Sequence, residues 1–270
     1  MKLKQTFTKI GLTLLTGAAF LGVLGATSSS KAANYQGDLV NQKQLTIGLE
    51  GTYKPYSYRQ DGKLTGFEVK LGQALAKKLG LKAKFVPTKW DSLVAGVGAD
   101  KYDLVLNNIT QTPERKKNYR FSTPYIYSRY ALISPKKAKL TKVQAIKGKT
   151  LAEGTGTNNA QVAKKYGAKI SASGEFANSL ALVRQGRADG TINSLEAYYA
   201  YAKSNKKVSD LNVTDLSKQV KPVKVSALLK KDNRQLQKAV DQALKQLAKD
   251  GTLSKLSKQY FGADITKAPK

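Results

Sequence analysis

The chain has 270 residues, enough for one large or two ordinary domains with real cores. It contains no Cys and no His, which excludes disulfides, thiol chemistry, Ser-His-Asp catalysis and most zinc sites. Against 18 Asp and Glu stand 47 Lys and Arg, a formal net charge of +29, which attracts polyanions such as nucleic acid, anionic lipid or phosphate-rich cell-wall polymers. The lysines are spread along the whole chain. No zinc finger, RNP-type aromatic pattern or basic zipper is present, so the expectation is a generally basic surface and no specific nucleic-acid partner.

The N-terminus sets the compartment. Lys2, Lys4 and Lys9 form a positive region before an apolar run from Ile10 to Ala26, and Ser30-Lys31-Ala32 offers small residues for signal peptidase. Residues 1–32 are therefore expected to be a signal peptide cleaved after Ala32. Gly11, Gly17, Gly22 and Gly25 interrupt the run, which argues against a membrane anchor. No Cys stands at the cleavage site to carry a lipid. A secreted protein is expected, retained at the cell surface without a lipid anchor.

Beyond residues 33–44, which read as polar and frayed, Leu45 to Leu49 alternates as a first strand. The loop Glu50 to Tyr56 follows it, and Asp61-Gly62 marks a hairpin turn. Leu71, Ala74, Leu75 and Leu79 share a helical face closed by Gly80. Leu81 to Val86 is the next strand. Asp91 is placed to cap a short helix carrying Leu93, Val94 and Val97. Leu104-Val105-Leu106 then leads into Asn107-Asn108-Ile109-Thr110-Gln111-Thr112-Pro113-Glu114-Arg115. Here Thr112 suits an N-cap and Pro113 the first helical position. Arg115 opposes the helix dipole in that first turn, unless it helps the free N–H groups hold an anion. A carboxylate is the expected anion, with Asn108 and Thr110 beside it; an ordinary surface Arg is the alternative.

Strand–helix alternation of this kind predicts a parallel α/β sheet, whose ligands lie outside the carboxyl ends of the strands. The Tyr53 loop, the Trp90 turn and the stretch 107–115 should share that edge. Tyr130 to Ile133 reads as a strand bounded by Pro135, and a second α/β set begins near Lys147. Thr150 to Ala152 leads into Gly154-Thr155-Gly156-Thr157-Asn158-Asn159, a strand-to-helix loop. It lacks the Gly-Lys-Ser/Thr ending of a P-loop and the third Gly of a dinucleotide fingerprint, but its free N–H groups suit a small anion. A helix ends at Gly186, Ala188 to Ser194 is a strand with its exit, and Tyr198, Tyr199 and Tyr201 ride on the next helix. Val223 to Leu229 reads as one strand. Asp232 should cap a long helix with Leu236, Val240, Leu244 and Leu247 inward, and a short helix ends at Gly262. Tyr53 and Trp90 are candidate ligand walls or core aromatics. Glu50 and Glu153 are isolated carboxylates whose spacing does not support a hydrolytic pair.

Several ordered motifs resemble the amino-acid-binding proteins of ABC importers, solute-binding family 3. They are Glu50-Gly51-Thr52-Tyr53-Lys54-Pro55-Tyr56, Gly66-Phe67-Glu68-Val69, Trp90-Asp91-Ser92-Leu93, Thr112-Pro113-Glu114-Arg115 and Phe121-Ser122-Thr123-Pro124-Tyr125. Gly154 to Asn158 and Asp250 to Leu256 look most like the cystine-binding branch. The basic charge is similar to that of the basic surface proteins of lactobacilli, described as cystine importers and as adhesins for collagen or mucus. The resemblance implies a two-lobed, type II periplasmic-binding-protein-like clamshell of α/β class, with crossings near 128–134 and 221–228. It implies lobe 1 over 33–127 and 224–270 and lobe 2 over 128–223. It implies no enzyme activity and no cofactor or metal. Its partners would be a polar amino acid, most of all L-cystine, and a membrane permease; an adhesin of collagen, mucin or anionic wall polymers is the alternative.

By the same resemblance, Arg115 grips the α-carboxylate with Thr157 across the cleft, and Asn158 beside Thr157 is a further ligand-binding residue. Asn108 and Thr110 hold the ammonium and carboxylate, and Tyr53 and Trp90 wall the side chain. The family places an Asp for the ammonium where this chain has Ser194. Either Glu50, the preferred candidate, or Glu196 supplies the missing charge, or affinity is modest, or the ligand differs.

Overall fold

A computed structural model describes residues 35–138, 140–204 and 208–268. The expected signal peptide lies outside them. In chain order the first half reads β1 (Gln44–Leu49), β2 (Tyr58–Gln60), β3 (Lys63–Thr65), α1 (Phe67–Lys78), β4 (Lys82–Pro87), α2 (Trp90–Gly98), β5 (Leu104–Val105), α3 (Pro113–Asn118), β6 (Tyr119–Phe121) and β7 (Ile126–Ser128). Then come β8 (Tyr130–Pro135), β9 (Thr150–Glu153), α4 (Asn158–Lys165), β10 (Lys169–Ala172), α5 (Phe176–Arg184), β11 (Thr191–Ser194), α6 (Leu195–Ser204) and β12 (Leu211–Asp215). The chain closes with β13 (Val223–Val225), β14 (Leu228–Lys230), α7 (Arg234–Lys249) and α8 (Thr252–Phe261).

One five-stranded sheet runs in the order β4-β1-β5-β14-β6. Its first three strands are parallel, as the strand–helix alternation predicts, and β14 returns antiparallel. β1 is buried at five of its six positions, the mark of a strand covered on both faces. A second group pairs β10 with β9 in parallel and places β8 between β11 and β12. A bridge from Leu151 to Gly190 links the two parts. Each group has its own buried clusters: Ile47, Leu71, Leu104 and Val240 in one, Leu132, Leu151 and Ile192 in the other. Two lobes with separate cores result.

The chain passes between them on β7 and β13, which pair antiparallel as Val223 with Ser128 and Val225 with Ile126. The expected crossing near 128–134 therefore starts earlier, because β8 belongs wholly to the second sheet group. The expected single strand over 223–229 is two: β13 pairs with β7, and past Ser226-Ala227 β14 joins the five-stranded sheet. A continuous apolar run conceals this change of partner.

Two expected caps shift. Asp91 lies inside the first turn of α2, whose N-cap is Lys89, and the N-cap of α7 is Asn233 rather than Asp232. The frayed reading of 33–44 is also corrected where described: Tyr35 is buried and donates to the Leu79 carbonyl at 2.8 Å. At the hairpin, Asp61 and Gly62 both take positive φ, 50° and 74°, as a tight two-residue turn requires. Gly66, with φ 126°, lies where a Cβ would run into the Tyr56 carbonyl. This close approach lets the N–H groups of Phe67 and Glu68 hold Pro55 and Tyr56, fixing the Tyr53 loop on the start of α1. No described helix is long and apolar enough to cross a membrane.

Candidate functional site

Three loops leave the carboxyl ends of β1, β4 and β5 and meet a facing set from the second lobe around one cavity. Glu50, Tyr53, Trp90, Asn108, Thr110, Arg115, Thr157, Asn158 and Ser194, all singled out in the sequence, line it. Glu153 does not: its carboxylate accepts from the Ile192 N–H at 2.6 Å and from the Thr191 hydroxyl, inside lobe 2.

Arg115 is held from both sides. Thr112 is the N-cap of α3, its hydroxyl accepting from the Arg115 N–H at 3.2 Å, with Pro113 first in the helix. The guanidinium donates to the Thr110 carbonyl at 3.1 Å and, across the cleft, to the Gly156 carbonyl at 3.2 Å. Its carbon stacks 5.4 Å from the centre of the Trp90 ring. Arg115 is 9% exposed, and no carboxylate pairs with it among the described residues. Burial pulls its pKa below the usual value. A buried cation facing only neutral carbonyls is a ready anion receptor.

Thr157 caps α4. Its hydroxyl accepts from the Ala160 N–H at 3.0 Å and donates to the Gly154 carbonyl at 2.8 Å. Asn158 and Asn159, at the start of that helix, line the cavity, and Asn158 donates to the Tyr130 hydroxyl.

Further bonds join the lobes. Tyr53 donates to Asn193 Oδ1 at 2.6 Å, Trp90 Nε1 to the Thr155 carbonyl at 2.8 Å, and Gln161 to Glu114 at 3.1 Å. Tyr53 also sets its ring edge-on to Phe176, with centroids 6.4 Å apart. The cleft is closed.

Glu50 is on the lobe 1 side. It is tied to Asn107 twice: the Asn107 amide donates to Oε2 at 2.6 Å, and the Glu50 N–H donates back to Oδ1 at 2.9 Å. Burial pushes its pKa up to about 7, against that hydrogen bond and with help from the like charges of Glu175 and Asp91. Asn108 takes a left-handed φ of 50°, and its Oδ1 is a buried acceptor with no donor.

The comparisons with known proteins point the same way. Residues 45–263 match the model of bacterial extracellular solute-binding proteins, family 3. The chain belongs to this family. It is 35% identical to the L-cystine-binding protein TcyA of Bacillus subtilis (strain 168), covering 96% of this chain and 98% of that one. It is 39% identical to the L-cystine-binding protein TcyJ of Escherichia coli (strain K12), covering 83% and 84%. A solved structure concerning glutathione import in Gram-positive bacteria via GshT and the cystine ABC importer TcyBC of Streptococcus mutans aligns with TM-score 0.76. Its identity is 30%, over 84% of this chain and 98% of that one. An ancestral arginine-binding protein bound to arginine aligns with TM-score 0.75 at 29% identity, covering 82% and 99%. The fold of this solute-binding protein is thus the two-lobed type II arrangement, and it is a binding protein of the amino-acid ABC transporter kind.

The Ser194 hydroxyl is fully engaged within the protein. Its hydroxyl donates to Glu196 Oε2 at 2.9 Å and accepts from the Tyr56 hydroxyl at 2.8 Å and the Ala197 N–H at 3.2 Å. One proton and two lone pairs are then all used. Glu196 is occupied too, since Arg129 donates to its other oxygen at 3.1 Å. Of the two expected substitutes for the missing Asp, Glu50 is the one that lines the cavity. The sequence reading missed Tyr130, Glu175, Phe176 and Asn193, which also line it. Their only sequence signal is a place beside strand and helix ends of the second lobe.

Proposed function

We propose that this solute-binding protein captures L-cystine in the cleft between lobes 33–127 with 224–270 and 128–223, and hands it to an ABC permease in the membrane. The observation that carries this reading is Arg115, buried, uncompensated and shared by both walls of the cavity. The cystine-binding relatives support the choice of ligand. The α-carboxylate lies on Arg115, assisted by amides at the start of α4 beside Thr157 and Asn158. The α-ammonium is held by Asn108, Thr110 and Glu50. Tyr53 and Trp90 flank the side chain. The site is read as one that binds without reaction, in keeping with the substrate-binding relatives, and Glu153 lies apart from Glu50 inside lobe 2.

The protein is read as exported and held at the surface by charge. Screening shortens to about 3 Å at 1 M salt, so a molar salt wash should strip it from cells, and retention would contradict charge alone. Adhesion to collagen, mucin or wall polymers rests only on the same basic surface.

Calorimetric titration of ligand-stripped protein with a panel of amino acids tests the reading. Saturable one-to-one heat with cystine is expected. No heat with any amino acid would overturn it.

A further inference from the structure

The cavity is lined by charges of both signs. Its lining holds one cation, Arg115, and two carboxylates, Glu50 from lobe 1 and Glu175 from lobe 2. The neighbours that influence Arg115 are Glu114, Tyr130 and Tyr119, whereas Glu50 feels Glu175 and Asp91. One α-amino acid uses Arg115 for its carboxylate and Glu50 for its ammonium. Glu175 is then left without a role.

Its structural explanation is weak. Glu175 is the N-cap of α5, where negative charge is favourable, but its side chain caps no amide. Its carboxylate has no hydrogen-bond or ion-pair partner among the described residues. It lies between Gly174, whose carbonyl approaches Gly154, and Phe176, whose ring meets Tyr53. That places it, half-buried, on the lobe 2 wall of the cavity, where its charge acts on Glu50. Closing the lobes brings two like charges to one cavity, which is unfavourable unless a cation enters with the ligand.

We propose that Glu175 is the specificity-determining residue of a distal cation subsite, taking the second ammonium of a two-headed amino acid such as cystine. This rests on the reading of the cavity as an amino-acid site and goes further, since it says which end of the ligand is discriminated. Arg115 meets the ligand carboxylate and Glu50, once ionised, meets the α-ammonium, so Glu175 is the group left for a further cation and the cavity favours ligands with one carboxylate and two cationic groups. Amino acids bearing a side-chain cation of similar reach compete; those without one are rejected.

Three disulfides separate these contributions. Cystine has both distal groups. The mixed disulfide of cysteine with 3-mercaptopropionate lacks only the second ammonium, and that of cysteine with cysteamine lacks only the second carboxylate. In the unaltered protein the mercaptopropionate compound should bind at least tenfold more weakly than cystine, about 1.4 kcal/mol. The cysteamine compound should bind as tightly as cystine or more so. Glu175→Gln should bring all three within about threefold of each other while leaving the melting temperature unchanged. If the mercaptopropionate compound binds the unaltered protein as well as cystine does, the subsite is overturned while the amino-acid site stands. If the preference survives Glu175→Gln, the assignment to Glu175 is overturned. If none of the three binds, the amino-acid reading falls and the subsite with it.

Discussion

Two arginines of this protein have opposite surroundings. Arg129, just past β7, has two carboxylates, Glu196 at 3.1 Å and Asp215 at 3.3 Å. Glu196 in turn takes the hydroxyls of Ser194 and Ser128, so the charge at the hinge is compensated within the protein. Arg115 has none among the described residues, and its guanidinium donates to carbonyl oxygens instead. Yet Arg115 is the more buried, at 9% exposed against 38% for the Arg129 side chain. A buried charge is ordinarily paired. Where the pairing is complete, the residue holds the fold; where it is left open beside a cavity, the partner comes from outside.

The largest expected effect follows at Arg115. Arg115→Met removes two charge-assisted bonds to the ligand carboxylate, each about 1.5 kcal/mol, so amino-acid affinity should drop at least roughly a hundredfold. Thermal unfolding should barely change; a large loss of stability with binding intact would make Arg115 structural, like Arg129.

The next effect is on stability. Glu50 and Glu68 both have pKa values pushed up to about 7 from 4.5, in each case chiefly by burial. Glu68 accepts from Tyr125 and from the Asn108 N–H, but its Oε2 has no donor. A raised carboxyl pKa means that the folded state binds more protons than the unfolded one between pH 4.5 and 7. Stability from each group is then fully present below pH 4.5 and lost as pH rises through 7. The loss is on the order of 3 kcal/mol per group. Urea unfolding of ligand-free protein at pH 5 and pH 8 checks this, with Glu68→Gln expected to flatten the difference.

Arg129→Ala should leave Glu196 buried without a cation and cost about 1–3 kcal/mol of stability. Cystine affinity should stay within a few-fold, the reverse of Arg115→Met. If both variants lose binding alike, the distinction between them collapses. The smallest effect is expected for Tyr53→Phe, which deletes the 2.6 Å bond to Asn193 across the cleft. At about 1 kcal/mol, titration should show cystine bound several-fold more weakly.

Much of lobe 1 was legible because local rules apply there. Thr112 and Pro113 announce the start of α3, and three strands ending in loops announce the edge where Tyr53, Trp90 and Asn108 gather. The facing wall was less legible, since Tyr53 meets Asn193 across 140 residues of sequence and no local pattern encodes that. The missing acid at Ser194 was visible, but its saturation depends on Tyr56, 138 residues away. Glu175 was hidden for the same reason, its meaning arising only when the lobes close. The break between β13 and β14 escaped because an apolar run looks the same whichever sheet it joins.

The central claim is that Arg115 is open because a ligand carboxylate completes it. A crystal structure of the protein with cystine tests this most directly. The account predicts a carboxylate within about 3 Å of the Arg115 guanidinium, in hydrogen-bonding geometry. Cystine bound with both carboxylates away from Arg115 would contradict it.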